Sequence, residues 1–401
     1  MSLRTQIAGI LNEQFMEEIT AMRRQLHQQP ELSFQEYHTS ETIRAWLDQW
    51  GIAYTYPHVK TGIVAHIRGD QPGRRIALRT DMDALPVTEQ TGLPFASRNK
   101  GVMHACGHDM HMASMLGTIR VLDRLKHEIR GEVLILFQPG EELNPGGAKL
   151  MLEEGVFRGR EPDMIIAQHV LPEMKAGQVG FKPGIYMAST DEIYITVKGK
   201  GGHGALRDQV RDPVLMASHI LITLQEEISR RAPEKVPTVL SFGKVLADGA
   251  VNVIPDEVSM EGTFRTMDEP WRKEAHRLIT QISSDITSRY GGSAEVLIKH
   301  GYPVLYNHEQ LTNESVRLAG DLLGEAHVEA LGLRMTAEDF AWFAREIPGM
   351  MYRLGVGDPG GEKPHPLHSP RFAAHESALR TGISLMSFLT VELLKIKPVE
   401  K

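Results

Sequence analysis

The stretch Glu132-Val-Leu-Ile-Leu-Phe-Gln-Pro-Gly-Glu-Glu142 decides the fold class. Its apolar run is too short for a helix and shows no polar alternation, so both faces must be covered, as in a buried strand of an α/β layer. Pro139 and Gly140 end the run, and two carboxylates follow directly. Similar runs occur at Gly62-Ile-Val-Ala-His-Ile67, Arg75-Ile-Ala-Leu78 and Asp163-Met-Ile-Ile-Ala167. A helical stretch near 108–128 lies between the strand at 75–78 and the one at 132–137. The first 50 residues read as helix, because Ile7, Ile10, Leu11, Phe15, Ile19, Met22 and Leu26 recur at spacings of three and four. Buried strands alternating with helices predict an α/β layer with a mostly parallel sheet.

From Pro183 the texture changes. Asp191-Glu-Ile-Tyr-Ile-Thr-Val197 alternates with period two, as a strand with one wet face does. A helix near 212–230 follows, then strands near 237–244 and 257–266, a helix near 270–289 and a strand near 294–299. That order, β-α-β-β-α-β, is the ferredoxin-like split unit. The α/β texture then resumes, with helices near 308–324 and 371–396. The expected architecture is one discontinuous α/β domain, 1–183 and 296–401, with a smaller α+β domain inserted at 184–295.

A chain of 401 residues has ample room for two such cores. With 44 basic and 51 acidic side chains its formal charge is −7, which argues against nucleic acid as partner. One cysteine cannot make an internal disulfide, which fits a reducing compartment. Met1-Ser-Leu-Arg-Thr-Gln-Ile7 has no apolar signal region, and no run approaches a membrane span. The expectation is a cytoplasmic protein without a membrane partner.

The polar residues cluster just after the buried strands. Arg79-Thr-Asp-Met-Asp-Ala-Leu-Pro86 follows the run at 75–78, His104-Ala-Cys-Gly-His-Asp109 opens the helix, Glu141 and Glu142 follow the run at 132–137, and Gln168-His169 follows the run at 163–167. Open α/β sheets place their sites beyond the carboxyl ends of strands. A thiolate, imidazoles and carboxylates together suit a borderline divalent metal such as Zn, Mn, Co or Ni. Adjacent glutamates diverge at a strand end, so one can hold metal while the other serves as general base. Of the 18 histidines, His104, His111 and His365 lie close to candidate ligands in sequence and either support them or are structural. Those elsewhere outside the motifs, His27 and His276 among them, read as surface or structural residues.

These segments, with Gly199-Lys-Gly-Gly-His-Gly204, Asn252-Val-Ile-Pro255, Gly262-Thr-Phe-Arg265, Ala337-Glu-Asp-Phe340 and Pro366-Leu-His-Ser369, run in one order over nearly the whole chain. In that order they resemble the M20 metallopeptidase and aminoacylase superfamily, in its amidohydrolase branch. The resemblance implies a zinc-peptidase-like catalytic domain carrying a ferredoxin-like dimerisation (lid) domain, and two divalent metals per subunit. It implies Cys106, His108, Glu142, His169 and His368 as metal ligands, with Cys106 bridging, and Glu141 as the general base. Asp81 would orient a ligand, and His203 would reach the partner subunit's site in a homodimer and stabilise the oxyanion. Asn252 and Arg265 would hold the substrate, an N-acyl amino acid. Two departures stand out. Leu206-Arg-Asp208 replaces the Pro-His pair common after the His203 motif, and Arg79 stands where other branches keep a metal-binding histidine.

Three rival readings remain at this level. One is an M20-type dipeptidase, although no inserted-domain motif supplies the acidic partner that a free α-amino group needs. Another is a cysteine hydrolase built on Cys106 with His108 or His169. The third is a silent binding protein on the same fold, which would normally have lost a ligand or the base.

Overall fold

The computed structural model describes residues 1–361 and 364–396. The chain divides into two compact units, residues 1–185, 306–332 and 339–401 forming the larger, 186–305 and 333–338 the smaller. Residues 397–401, the end of the expected range 296–401, lie outside the described residues.

The larger unit is built on an eight-stranded sheet. Its strands are β1 (Ala53–His58), β2 (Gly62–Arg68), β3 (Gln71–Asp81), β4 (Arg130–Gln138), β5 (Met164–Lys175) and β6 (Val179–Phe181), which are joined late in the chain by β15 (Val328–Ala330) and β16 (Gly349–Gly357). The spatial order is β1-β2-β4-β3-β5-β16-β6-β15. Strands β4, β3, β5 and β16 are mutually parallel, whereas β1–β2, β2–β4 and β6–β16 pair antiparallel. The expected mostly parallel sheet is therefore a mixed one with a parallel centre. The parallel strands carry the unbroken apolar runs, and Ile76, Leu78, Val133, Ile135, Ile165 and Ile166 are fully buried. Each such side chain contributes roughly 1.5–3 kcal/mol by leaving water.

Helix α1 (Leu3–Ile10), α2 (Glu13–Gln28) and α3 (Tyr37–Gln49) come first. Helix α4 (His108–Arg124) packs against α2, β3, β5 and the last helix, α10 (Ala378–Leu393). The helix expected at 371–396 starts later, at Ala378. Gly107 caps α4 with φ +82, and a Cβ there would meet Val170 Cγ2 at 2.6 Å. Only glycine lets Cys106 and His108 turn this tightly against β5. Two short helices, α5 (Gly147–Glu153) and α9 (Ala341–Glu346), pack together beside β4 and β16, and α8 (Glu309–Leu323) packs on α10.

The chain passes between units through β7 (Gly184–Met187) and β14 (Leu305–Asn307). The smaller unit runs β8 (Asp191–Lys198), α6 (Pro213–Arg231), β10 (Thr238–Leu246), β12 (Glu257–Thr266), α7 (Glu269–Arg289) and β13 (Ser293–His300), with the two-residue strands β9 (Gly202–His203) and β11 (Val253–Ile254) forming a separate ribbon. Its sheet order is β10-β12-β8-β13, all antiparallel, which is the ferredoxin-like arrangement. A boundary at 295/296 would cut β13, whose residues pair with β8 from Ser293↔Lys198 to His300↔Asp191. The smaller unit therefore extends to Leu305 and also takes in residues 333–338. Among the described residues, no helix is long and apolar enough to cross a membrane.

Candidate metal centre

The turn at Gly107 brings Cys106 and His108 to the N-terminus of α4, facing β5. His169 was expected just beyond a strand end. Instead β5 continues to Lys175, and His169 sits inside it, in register with Arg353 of β16. The donor atoms of Cys106, His108 and His169 lie within 4.8 Å of one another. Those of Cys106, Glu142 and His368 do too, as do those of His108, Glu141 and Glu142. All five expected ligands and the expected base thus converge within the larger unit. His368 arrives on a loop with φ +65, its N–H bonded to the Ala105 carbonyl at 2.9 Å.

The hydrogen bonds fix the ring tautomers. His108 Nδ1 donates to the Asp83 carbonyl at 2.9 Å, and His169 Nδ1 donates to the Val170 carbonyl at 2.8 Å. Both Nε2 lone pairs are left to face the cluster, with His169 Nε2 3.6 Å from Cys106 Sγ. Such outer hydrogen bonds orient metal-binding imidazoles and raise their basicity. His108 Nε2 is buried yet has no hydrogen-bond partner, and Glu142 Oε1, also buried, faces it at 3.9 Å and His368 Nε2 at 3.4 Å. Buried polar atoms normally have one, and a divalent cation would satisfy both at once. The residues present fit a metal.

The electrostatics agree. Hydrogen bonds to Cys106 and Glu142 push His368 up to about 10, and Asp81 and Cys106 raise His108 despite its burial. Burial and Glu142 push the Cys106 thiol up. A site that strains to hold protons attracts other cations. His169 is lowered well below the ordinary value by burial and by Arg353, which favours the neutral ring a metal requires.

Asp81 accepts from His111 Nδ1 at 2.7 Å and from Arg79 Nη1 at 2.7 Å, and lies 3.7 Å from His108 Nε2. Although burial opposes it, His108, His111 and Arg79 hold the Asp81 carboxyl well below the usual range. Arg79, the departure noted in the sequence, bonds Asp339 Oδ1 at 2.8 Å and Gln138 Oε1 at 2.8 Å. Its guanidinium thus ties the ends of β3 and β4 to the turn before α9. Asp83, Gln138 and Asp339 were not singled out from the sequence, although all three stand inside quoted motifs. His365 is exposed. His104 is fully buried, and burial pushes it down to about 3, leaving a neutral ring.

The other expected site residues lie in the smaller unit. His203 on β9 is exposed and accepts the Ala205 N–H on Nδ1 at 3.1 Å, so its neutral ring carries the proton on Nε2. Asn252 precedes β11, and its carbonyl accepts the Gly204 N–H at 2.9 Å, so the ribbon holds it beside His203. Arg265 on β12 donates to the Met335 carbonyl at 3.1 Å. Leu206, of the departing segment, is 48% exposed beside the short 3₁₀ turn Arg207–Gln209.

A parallel-centred α/β layer here gathers a thiol, imidazoles and paired carboxylates into one cluster of metal-type donors. Residues 77–391 match the model of peptidase family M20/M25/M40, and the chain belongs to that family. It is 38% identical over 376 residues to an N-acetylcysteine deacetylase of Bacillus subtilis, covering 93% of this chain and 96% of that protein. It is 41% identical over 293 residues to an N-acyl-L-amino acid amidohydrolase of Geobacillus stearothermophilus, covering 73% and 79%. A solved Bacillus subtilis structure, described as a dinuclear metal binding peptidase from the M20 family, superimposes with a TM-score of 0.81 at 35% identity, covering 96% of this chain and 99% of that one.

Proposed function

We propose that this chain is a metal-dependent amidohydrolase that removes the acyl group from N-acyl amino acids, with a pair of divalent ions among Zn, Mn, Co and Ni held by Cys106, His108, Glu142, His169 and His368. The observation that carries the reading is the adjacency of Glu141 and Glu142, whose carboxylates share His108 as a neighbour within 4.8 Å. One carboxylate belongs to the cation donor set, and the other remains for proton transfer.

Bound divalent ions supply Lewis-acid polarisation of the amide carbonyl and make the attacking water more acidic. Glu141 takes the proton of that water and passes it to the departing amine, so one group serves both proton transfers. His203, with its proton on Nε2, donates to the developing oxyanion of the partner subunit's site. Arg265 and Asn252 hold the substrate carboxylate, for which a guanidinium fork is well shaped. The smaller unit is the dimerisation element. Its exposed apolar side chains, Val214, Leu215 and Ile222 on α6 and Val239, Val245 and Leu246 on β10, support that role.

A panel of N-acyl amino acids and dipeptides, run with defined metals, tests the function. We expect cleavage of the N-acyl substrates in preference to dipeptides, loss of activity on chelation and recovery on adding metal. Glu141→Ala should lower kcat by about 10²–10⁴ with metal content unchanged. Full activity in that variant, or in thoroughly metal-free protein, overturns the proposal.

A further inference from the structure

Residues 31–36, Glu-Leu-Ser-Phe-Gln-Glu, link α2 to α3 and contribute nothing to the donor set, yet they grip both of its acidic segments. The Glu31 carbonyl accepts the Ala84 N–H at 2.8 Å, and Leu32 forms a parallel bridge with Ala84. Ser33 Oγ donates to Asp83 Oδ2 at 2.6 Å, and the same oxygen accepts the Glu142 N–H at 2.9 Å. Glu36 Oε1 accepts the N–H groups of Phe34, at 2.9 Å, and Gly140, at 2.8 Å, while Oε2 accepts from Thr61 Oγ1 at 2.7 Å. Glu36, Thr61 and Asp83 are all fully buried. The backbone N–H groups immediately before and after Glu141 are therefore each held by a buried carboxylate.

Two further features are shaped around this contact. Phe34 adopts φ +61, a conformation rare for non-glycine residues, and its own N–H is bonded to Glu36. Its ring occupies the space beside Gly140, where a Cβ would lie 2.4 Å from Phe34 Cε1. Gly140 itself has φ +61. The loop and its brace fit only with glycine at 140 and with Phe34 held in the left-handed region.

We propose that Glu36 is a positioning residue for Glu141: by fixing the Gly140 peptide, opposite the hold of Asp83 on the Glu142 peptide, it aims the base. The proposal rests on the reading of Glu141 as base. Burial, with the Asp83 charge nearby, pushes Glu36 up to about 7. Either protonation state leaves Oε1 accepting the two N–H groups, so a glutamine of the same shape can replace it, its amide N–H donating to Thr61 Oγ1.

The test compares Glu36→Gln with Glu36→Ala in the metal-loaded full chain, and adds Glu36→Asp, which is one methylene too short to span Thr61 and Gly140, in case the alanine variant fails to fold. The readouts are deuterium exchange of residues 140–142, kcat and KM on an N-acyl amino acid, and metal content. We expect Glu36→Gln to keep wild-type protection and kcat within about threefold. Glu36→Ala and Glu36→Asp should lose protection at Gly140 and at least about tenfold in kcat, with KM and metal content held. Equal behaviour of the glutamine and alanine variants, an unchanged kcat in a folded alanine or aspartate variant, or a loss that tracks metal loss would overturn the proposal. If the wild type cleaves no N-acyl amino acid, the functional reading fails, and unchanged exchange at residues 140–142 separately overturns the brace.

Discussion

At His111 two hydrogen bonds settle what the ring does. Its Nδ1 donates to Asp81 at 2.7 Å, and its Nε2 accepts the Val170 N–H at 2.9 Å, so no lone pair remains for a cation. Burial also lowers its pKa, which keeps the ring neutral. His108 and His169 instead spend Nδ1 on backbone carbonyls and turn Nε2 toward the cluster, that of His169 meeting Cys106 Sγ at 3.6 Å. Three histidines within a few ångströms thus divide into two donors and a brace for the peptide that carries His169. His111→Phe keeps an aromatic ring in place but leaves Asp81 Oδ1 and the Val170 N–H without their partners, while Arg79 still holds Asp81 Oδ2. It should weaken metal affinity by about 10–100-fold, as measured by competition with a chelator. Unchanged affinity would show that the brace is idle. The sequence placed His111 near the ligands but could not separate these roles, because the tautomer is set by Val170 and Asp81, residues far along the chain.

Among the elements, those with strong periodicity were legible and those defined by their neighbours were not. Strand β8 alternates buried and half-buried residues along its whole length, and its pattern alone located it. Strands β6 and β15 are three residues each and exist through their pairing in the sheet. Strand β5 runs past His169 because β16 continues to pair with it, a fact no local pattern carries. At the start of β8, Asp191 accepts from Arg272 of α7 at 2.6 and 2.8 Å and from His276 at 2.8 Å. Despite burial, these bonds hold the Asp191 carboxyl down at about 2. Its folded value lies below the unfolded one, so this stabilisation is present above pH 4 and is lost as pH falls toward 2. Arg272→Met removes the cation from a buried carboxylate, leaving it His276 and the Gly301 N–H, and should destabilise the smaller unit by about 3–5 kcal/mol, read as a lower urea midpoint. In Asp191→Asn, stability should lose that acid-dependent step; a step of wild-type size would refute the assignment.

For the whole molecule, the proposed use of His203 in trans makes a prediction that no single chain can meet. Chains bearing Glu141→Ala and chains bearing His203→Ala should each be nearly inactive. Mixed equally and allowed to exchange, they form hybrids in which one of the two sites is intact, so about a quarter of wild-type activity should return. A mixture no more active than the sum of its parents would rule out sharing between subunits. Local chemistry in the sequence determined which residue types could act: apolar runs located the buried strands, and the acidic pair and the Cys-Gly-His turn marked their ends. Those signals are short-range, so they survive in one dimension. Only the tertiary structure decided that residues 333–338 join the smaller unit, that Arg79 joins Asp81 to Asp339, and that the distant residue Glu36 holds the peptide before Glu141. Each of those contacts joins residues far apart in the chain, and what pairs a buried polar group is the fold around it rather than its neighbours in sequence.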